Sequence, residues 1–134
     1  MTASPTDRSA ADDDFSHEII GAAVEVQRVL GTGLPESVYA AALAVELNEL
    51  ELSFERDRPI EALYKGRSLG IAARADFLVE GSVLIVLKTA EGHVDAQRAQ
   101  LLSSLRLSGV RLGLLINFQT FPVVKGIHRM ESKP

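Results

Sequence analysis

The stretch Ala73-Arg74-Ala75-Asp76-Phe77-Leu78-Val79-Glu80-Gly81-Ser82-Val83-Leu84-Ile85-Val86-Leu87-Lys88 decides the architecture. Val83 to Leu87 is an unbroken apolar run closed by a lysine, the pattern of a strand buried on both faces. Leu69 to Val79 reads as the strand before it, and Glu80-Gly81 as the break between them. Side chains alternate along a strand, so Asp76 shares a face with Arg74 and Leu78, and Lys88 with Leu84 and Val86. A hairpin at Glu80-Gly81 therefore lets an aspartate on one strand and a lysine at the end of the next share a pocket.

Working outward, Asp95 to Ser108 has helical spacing, with Ala99, Leu102, Leu105 and Arg106 in register and Gly109 as the stop. Val110 to Phe118 is a second apolar strand. Val123 to Arg129 reads as a last edge strand, which leaves a surface on which a homodimer can pair. Upstream, Leu52 to Tyr64 alternates apolar and polar residues as strands do, and Lys65-Gly66-Arg67 suits a tight turn. Ile19, Ala23, Val26 and Leu30 mark a first helix, with Ser16 as its expected N-cap. Gly31-Thr32-Gly33 stops that helix. Pro35 and Glu36 suit the first turn of a second one running to about Leu50. The expected order is α-α-β-β-β-α-β-β, an α/β (α+β) fold with a central mixed β-sheet flanked by helices.

Composition narrows the function classes. At 134 residues and 14.5 kDa the chain has the size of one domain and can bury about two-thirds of its surface. With 46% hydrophobic and 24% charged residues it is an ordinary globular sequence. Cysteine is absent, which excludes disulfides, thiolate metal sites and thiol nucleophiles. No apolar run approaches a membrane span and no secretory signal is present, so a cytoplasmic protein is expected. Met1 to Asp14 reads as a disordered acidic leader and residues 15–134 as a single domain. The net charge is −4. Asp7, Asp12, Asp13 and Asp14 outweigh Arg8 in the leader, so the body is nearly neutral. A neutral body argues against strong non-specific nucleic-acid binding. Lys125, His128, Arg129 and Lys133 gather near the C-terminus, where a solvated tail is favoured over a phosphate patch. Aromatic residues are 5% with no Trp, which gives no stacking platform for single strands. No Gly-rich phosphate loop, H-E-x-x-H motif or G-x-S-x-G elbow occurs.

An acid on one strand and an x-Lys end on the next is the arrangement that metal-dependent phosphodiester hydrolysis uses. Carboxylates hold Mg²⁺, the ion polarises the phosphate and activates water, and the lysine orients water or the anionic transition state. Spacing alone also describes an ion pair of Asp76 with Lys88 or Arg74, and favours it over a site.

Gly33-Leu34-Pro35-Glu36-Ser37-Val38-Tyr39 reads G-x-x-E-x-x-Y. It resembles the signature of the GxxExxY proteins, a bacterial family of the PD-(D/E)XK nuclease superfamily. The resemblance continues through Arg74 to Glu80, Ile85 to Lys88, Ala99-Gln100-Leu101-Leu102 and Gly113 to Phe118, covering residues 15–130. It implies a PD-(D/E)XK nuclease-like core. By that resemblance Glu36 is the helix carboxylate and Asp76 the central metal ligand, the two together holding metal. Lys88 is then the catalytic lysine, and Gln100 faces the site from the following helix.

Three positions depart from the family pattern. Val86 stands where a Glu is expected two residues before the lysine, and Ser103-Ser104 where Asn-Tyr is common. A unit charge pair at 4 Å is worth about 4 kcal/mol at an effective dielectric of 20, and a divalent ion doubles that. Even after desolvation, the missing carboxylate means orders of magnitude in metal affinity. Mg²⁺ can be held by one or two carboxylates plus substrate phosphates. Glu91 or Asp95 could also move in, though each reads better as a solvated loop or cap residue. Tyr39, on the same helix face as Glu36, is expected to hydrogen-bond within the pocket. His93 reads as a plain loop residue and Asn117 as a strand-end turn residue.

The resemblance implies a nuclease-fold protein with a degenerate metal site, weakly active or inactive, that binds nucleic acid weakly or a protein partner. The alternative is an active Mg²⁺-dependent (or Mn²⁺-dependent) DNA endo- or exonuclease with a relocated carboxylate. A non-catalytic dimerising module is a third reading.

Overall fold

The computed structural model describes residues 14–90 and 92–132. The leader up to Asp13, Glu91 and Lys133 lie outside them. Helix α1 spans Ser16–Leu30 and buries Ile19, Ala22, Ala23 and Val26, the stripe its periodicity dictates. Helix α2 spans Glu36–Glu49 and buries Tyr39, Ala40, Leu43 and Leu47. The strands are β1 (Phe54–Tyr64), β2 (Arg67–Val79), β3 (Val83–Lys88), β4 (Leu112–Asn117) and β5 (Ile127–Glu131), with helix α3 (Val94–Ser108) between β3 and β4. The element order is the expected one.

The strands form one sheet in the order β1-β2-β3-β4-β5. Only β3 and β4 run parallel, because α3 carries the chain back across the sheet between them. Alternation along β3 feeds two separate cores. Val83, Ile85 and Leu87 pack with Phe77, Val79, Leu114 and Ile116 against α1 and α2. Leu84 packs with Ile60, Ala75, Leu78 and Leu115 against Leu101 and Leu105 of α3. Gly113 sets how closely α3 lies on the sheet. A Cβ there would come within 2.9 Å of a Leu101 methyl, so a larger residue forces the Leu101 side chain to shift.

The long β1–β2 hairpin turns at Lys65-Gly66, both with positive φ, the two-residue geometry that matches strand twist. It reaches well beyond β3, since β2 pairs with β3 only from Phe77 to Val79.

Three expectations need correction. Ser16 lies inside α1 rather than capping it. Phe15 takes the left-handed conformation before the helix, and Asp14 Oδ1 accepts the Ser16 N–H at 3.0 Å. Asp14 is thus part of the fold, and Arg129 holds its other oxygen at 2.6 Å. That pairing, with a second contact from Arg129 to Glu131, also neutralises the cation at the centre of the C-terminal basic cluster. The last strand begins at Ile127 rather than Val123. Residues Val123–Gly126 form a 3₁₀ turn in which Gly126 packs so closely on Asn117 that a Cβ would lie 2.8 Å from its carbonyl oxygen.

Candidate functional site

Glu36 is the first residue of α2, and a rigid turn delivers it there. Gly31 has φ 73° and ψ −160°, and Gly33 has φ 95°, backbone states that side chains exclude. The Tyr39 hydroxyl donates to Gly31 O at 2.6 Å and accepts the Leu34 N–H at 3.3 Å. The Tyr39 ring is fully buried and stacks on Phe118, with centroids 4.6 Å apart and planes within 3°. Tyr39 therefore clamps the turn from inside the core and contributes no group to the pocket, contrary to the sequence expectation. The spacing from glycine to glutamate to tyrosine has a mechanical meaning: glycine turn, presented carboxylate, clamp.

Asp76 sits where β2 and β3 part. The ladder between them ends at Phe77↔Ile85, and one residue further the Asp76 Oδ2 accepts the Leu87 N–H at 2.7 Å in place of a strand carbonyl. Lys88 ends β3 opposite Asn117 of β4. Asn117 shapes the neighbouring turns. Its amide donates to Ala90 O at 3.0 Å and its Oδ1 accepts the Gln119 N–H at 2.9 Å.

The three half-buried side chains form one electrostatic group. Burial pushes the Glu36 carboxyl above the usual carboxylate range, the Asp76 charge adds to this, and Lys88 opposes it. Burial likewise pushes Asp76 up. The Leu87 hydrogen bond and Lys88 pull it down without cancelling the rise, Asp57 adds to the rise, and Arg56 opposes it. Among the described residues, Asp76 makes no ion pair with Arg74 or Lys88. The reading of Asp76 as half of a salt bridge is thereby set aside.

Gln100 is exposed on α3 and lines a cleft of about 500 Å³ between the hairpin arm and that helix, with Val86 and Lys88 on the opposite wall. Asp95 lies exposed in the first turn of α3. His93 precedes that helix in the left-handed conformation, and its carbonyl accepts the Gln97 N–H.

The sequence reading missed Asp57 and Arg56. Counted from the turn pair Tyr64↔Arg67, Asp57 would face Arg74. One-residue shifts after Ile60 and after Ala62 leave it instead across from Asp76, between the pairs Arg56↔Phe77 and Arg58↔Ala75. Arg56 lies 5.1 Å over the Phe77 ring, next to Asp76 in sequence.

Among the described residues the donor set does not fit a divalent ion held by protein alone. Glu36 and Asp76 supply two carboxylates, and Val86 beside Lys88 supplies none. Among the described residues no three His, Cys, Asp or Glu converge as a metal site.

Neither the curated proteins nor the solved structures include a significant match to this sequence. The family model of the PD-(D/E)XK nuclease superfamily matches residues 13–130, nearly the whole chain. A parallel β3-α3-β4 unit, an aspartate at the strand split and a lysine at the end of the next strand accompany that match, and the chain belongs to the PD-(D/E)XK nuclease superfamily.

Proposed function

We propose that this is a cytoplasmic GxxExxY-type protein whose metal site is degenerate at Val86, and that it binds nucleic acid without hydrolysing it at an appreciable rate. One observation carries the reading: Glu36, Asp76 and Lys88 act on one another electrostatically, while an apolar side chain stands on the Lys88 side of the split. Lys88 then serves as a phosphate contact. Arg74, on the same cleft and without an ion pair among the described residues, serves as a second. Two cations on a nearly neutral body make for weak binding with a shallow salt dependence.

Asp57 favours a second reading, an active Mg²⁺-dependent nuclease in which the relocated carboxylate comes from β1, because its charge is felt at Asp76. Labelled single- and double-stranded oligonucleotides separate the two. Fluorescence anisotropy in EDTA and in Mg²⁺ should give similar affinities, with Lys88→Ala several-fold weaker and no product on a denaturing gel. Mg²⁺-dependent cleavage that disappears in Asp76→Asn and in Asp57→Asn would establish the second reading instead.

A further inference from the structure

The cleft beside Lys88 is larger than a carboxylate corner requires, and three of its features suit a ligand. Ser104 lies on its wall only 7% exposed, and its hydroxyl hydrogen-bonds to no described residue. That hydroxyl oxygen is open to the cleft rather than sealed in the core, so it can hydrogen-bond to an occupant. Gln97 and Gln100, one turn apart on α3, both line the cleft, and neither side-chain amide is engaged by a described residue. Arg74 and Lys88 line it too, both without ion pairs among the described residues. The rest of the lining is largely apolar and includes Val86, Leu101 and Leu107. An apolar pocket with a few convergent polar groups is the ordinary form of a small-molecule site.

We propose that this cleft receives a single unpaired nucleobase, its edge read by Gln97, Gln100 and Ser104 and its phosphate held by Lys88 and Arg74. The proposal rests on the nucleic-acid reading above and names the part of the nucleic acid that enters. Each glutamine amide offers donors and an acceptor, which matches the mixed edge of a base. The apolar lining covers the flat face of the ring. An apolar peptide side chain would leave the hydroxyl and both amides unanswered, which disfavours a protein occupant. A base held in a duplex has its pairing edge occupied and must be extruded at a cost, so single strands and frayed ends are preferred.

The test uses titrations followed by amide chemical shifts, with dTMP, dAMP and inorganic phosphate as separate probes. The nucleotides should bind at least tenfold more tightly than phosphate and shift Gln97, Gln100 and Ser104. Ser104→Tyr, which fills the cleft, should lose that tenfold preference and the preference for single-stranded over duplex oligonucleotides, while phosphate affinity stays the same. Gln97→Ala removes one amide at a helical position that tolerates alanine, and should weaken the nucleotides several-fold even if the tyrosine variant folds poorly. If phosphate binds as well as the nucleotides while oligonucleotides still bind, the base pocket is wrong and the nucleic-acid reading survives. If an apolar peptide binds there and nucleotides do not, a protein partner replaces the base. If nothing binds, both readings fall.

Discussion

Asp76 serves two demands that oppose each other. It closes the ladder where β2 and β3 part, and it holds a charge in a half-buried place next to Glu36 and Asp57. Its carboxyl titrates above the usual range, so ionisation costs the folded state stability at pH values above that raised pKa. As pH falls through the raised value toward the ordinary one, the folded protein takes up the proton first and the penalty disappears. Glu36 follows the same sign. Asp76→Asn keeps an acceptor for the Leu87 N–H and removes the charge. Its melting temperature should exceed that of the parent at pH 7, with the difference closing as pH drops below about 4. The gain should stay under about 1 kcal/mol, because solvent reaches the group and screens the penalty. A variant less stable than the parent at pH 7 would mean that the carboxylate is a net structural asset. The residues at this scale were unevenly legible. Parity along β2 and β3 singled out Asp76 and Lys88, but strict alternation breaks at Asp76, since Ala75 and Leu78 pack in one core and Phe77 in the other. The place of the Tyr39 hydroxyl was not readable, because its partners are backbone atoms of a turn whose shape depends on Gly31 and Gly33.

The elements explain what local pattern could and could not carry. Apolar runs identified β3 and β4, and helical spacing identified all three helices, because burial on one or two faces leaves a period in the sequence. The β1–β2 hairpin leaves no such trace of its register. Its exposed positions tolerate either face, so the two shifts that bring Asp57 across from Asp76 arise from bulges and not from a hydrophobic pattern. The start of β5 was misread for a related reason: Val123 is buried by a side chain of α1 rather than by strand pairing. Gln27, 5% exposed, donates to Phe118 O at 3.1 Å and Thr120 O at 2.7 Å, and accepts the Val123 N–H at 2.8 Å. One amide thus ties α1 to the turn after β4. Gln27→Met keeps length and apolar contact but leaves three backbone groups without this partner, two of them in buried bonds. It should lower stability by about 3 kcal/mol in urea unfolding, at the rate of about 1 kcal/mol per hydrogen bond. The exposed Gln119→Ala should stay within about 0.5 kcal/mol of the parent. A mild Gln27 variant would show that the turn finds other partners.

At the scale of the whole molecule, the sheet separates two helical layers, and the split between β2 and β3 opens at the end where α2 begins and α3 passes over. That placement collects Glu36, Asp76 and Lys88 from three elements far apart in sequence, and it sets the cleft under α3 beside them. On the proposed reading, a nearly neutral body would keep association local to that cleft rather than spread over the surface. On the function proposed above, Val86 leaves the corner one carboxylate short of a metal site. Val86 is half-buried and borders the cleft, so a glutamate there reaches solvent and Lys88 without a fully buried charge. Calorimetric titration of Mg²⁺ into the parent and into Val86→Glu tests the claim directly. The parent should show no saturable binding in the micromolar range. Val86→Glu should bind at least tenfold more tightly than the parent, gaining more than about 1.4 kcal/mol, and should lose that gain when Asp76→Asn is added. Micromolar Mg²⁺ affinity in the parent, or a Val86→Glu variant that folds and binds no more tightly, would contradict the account.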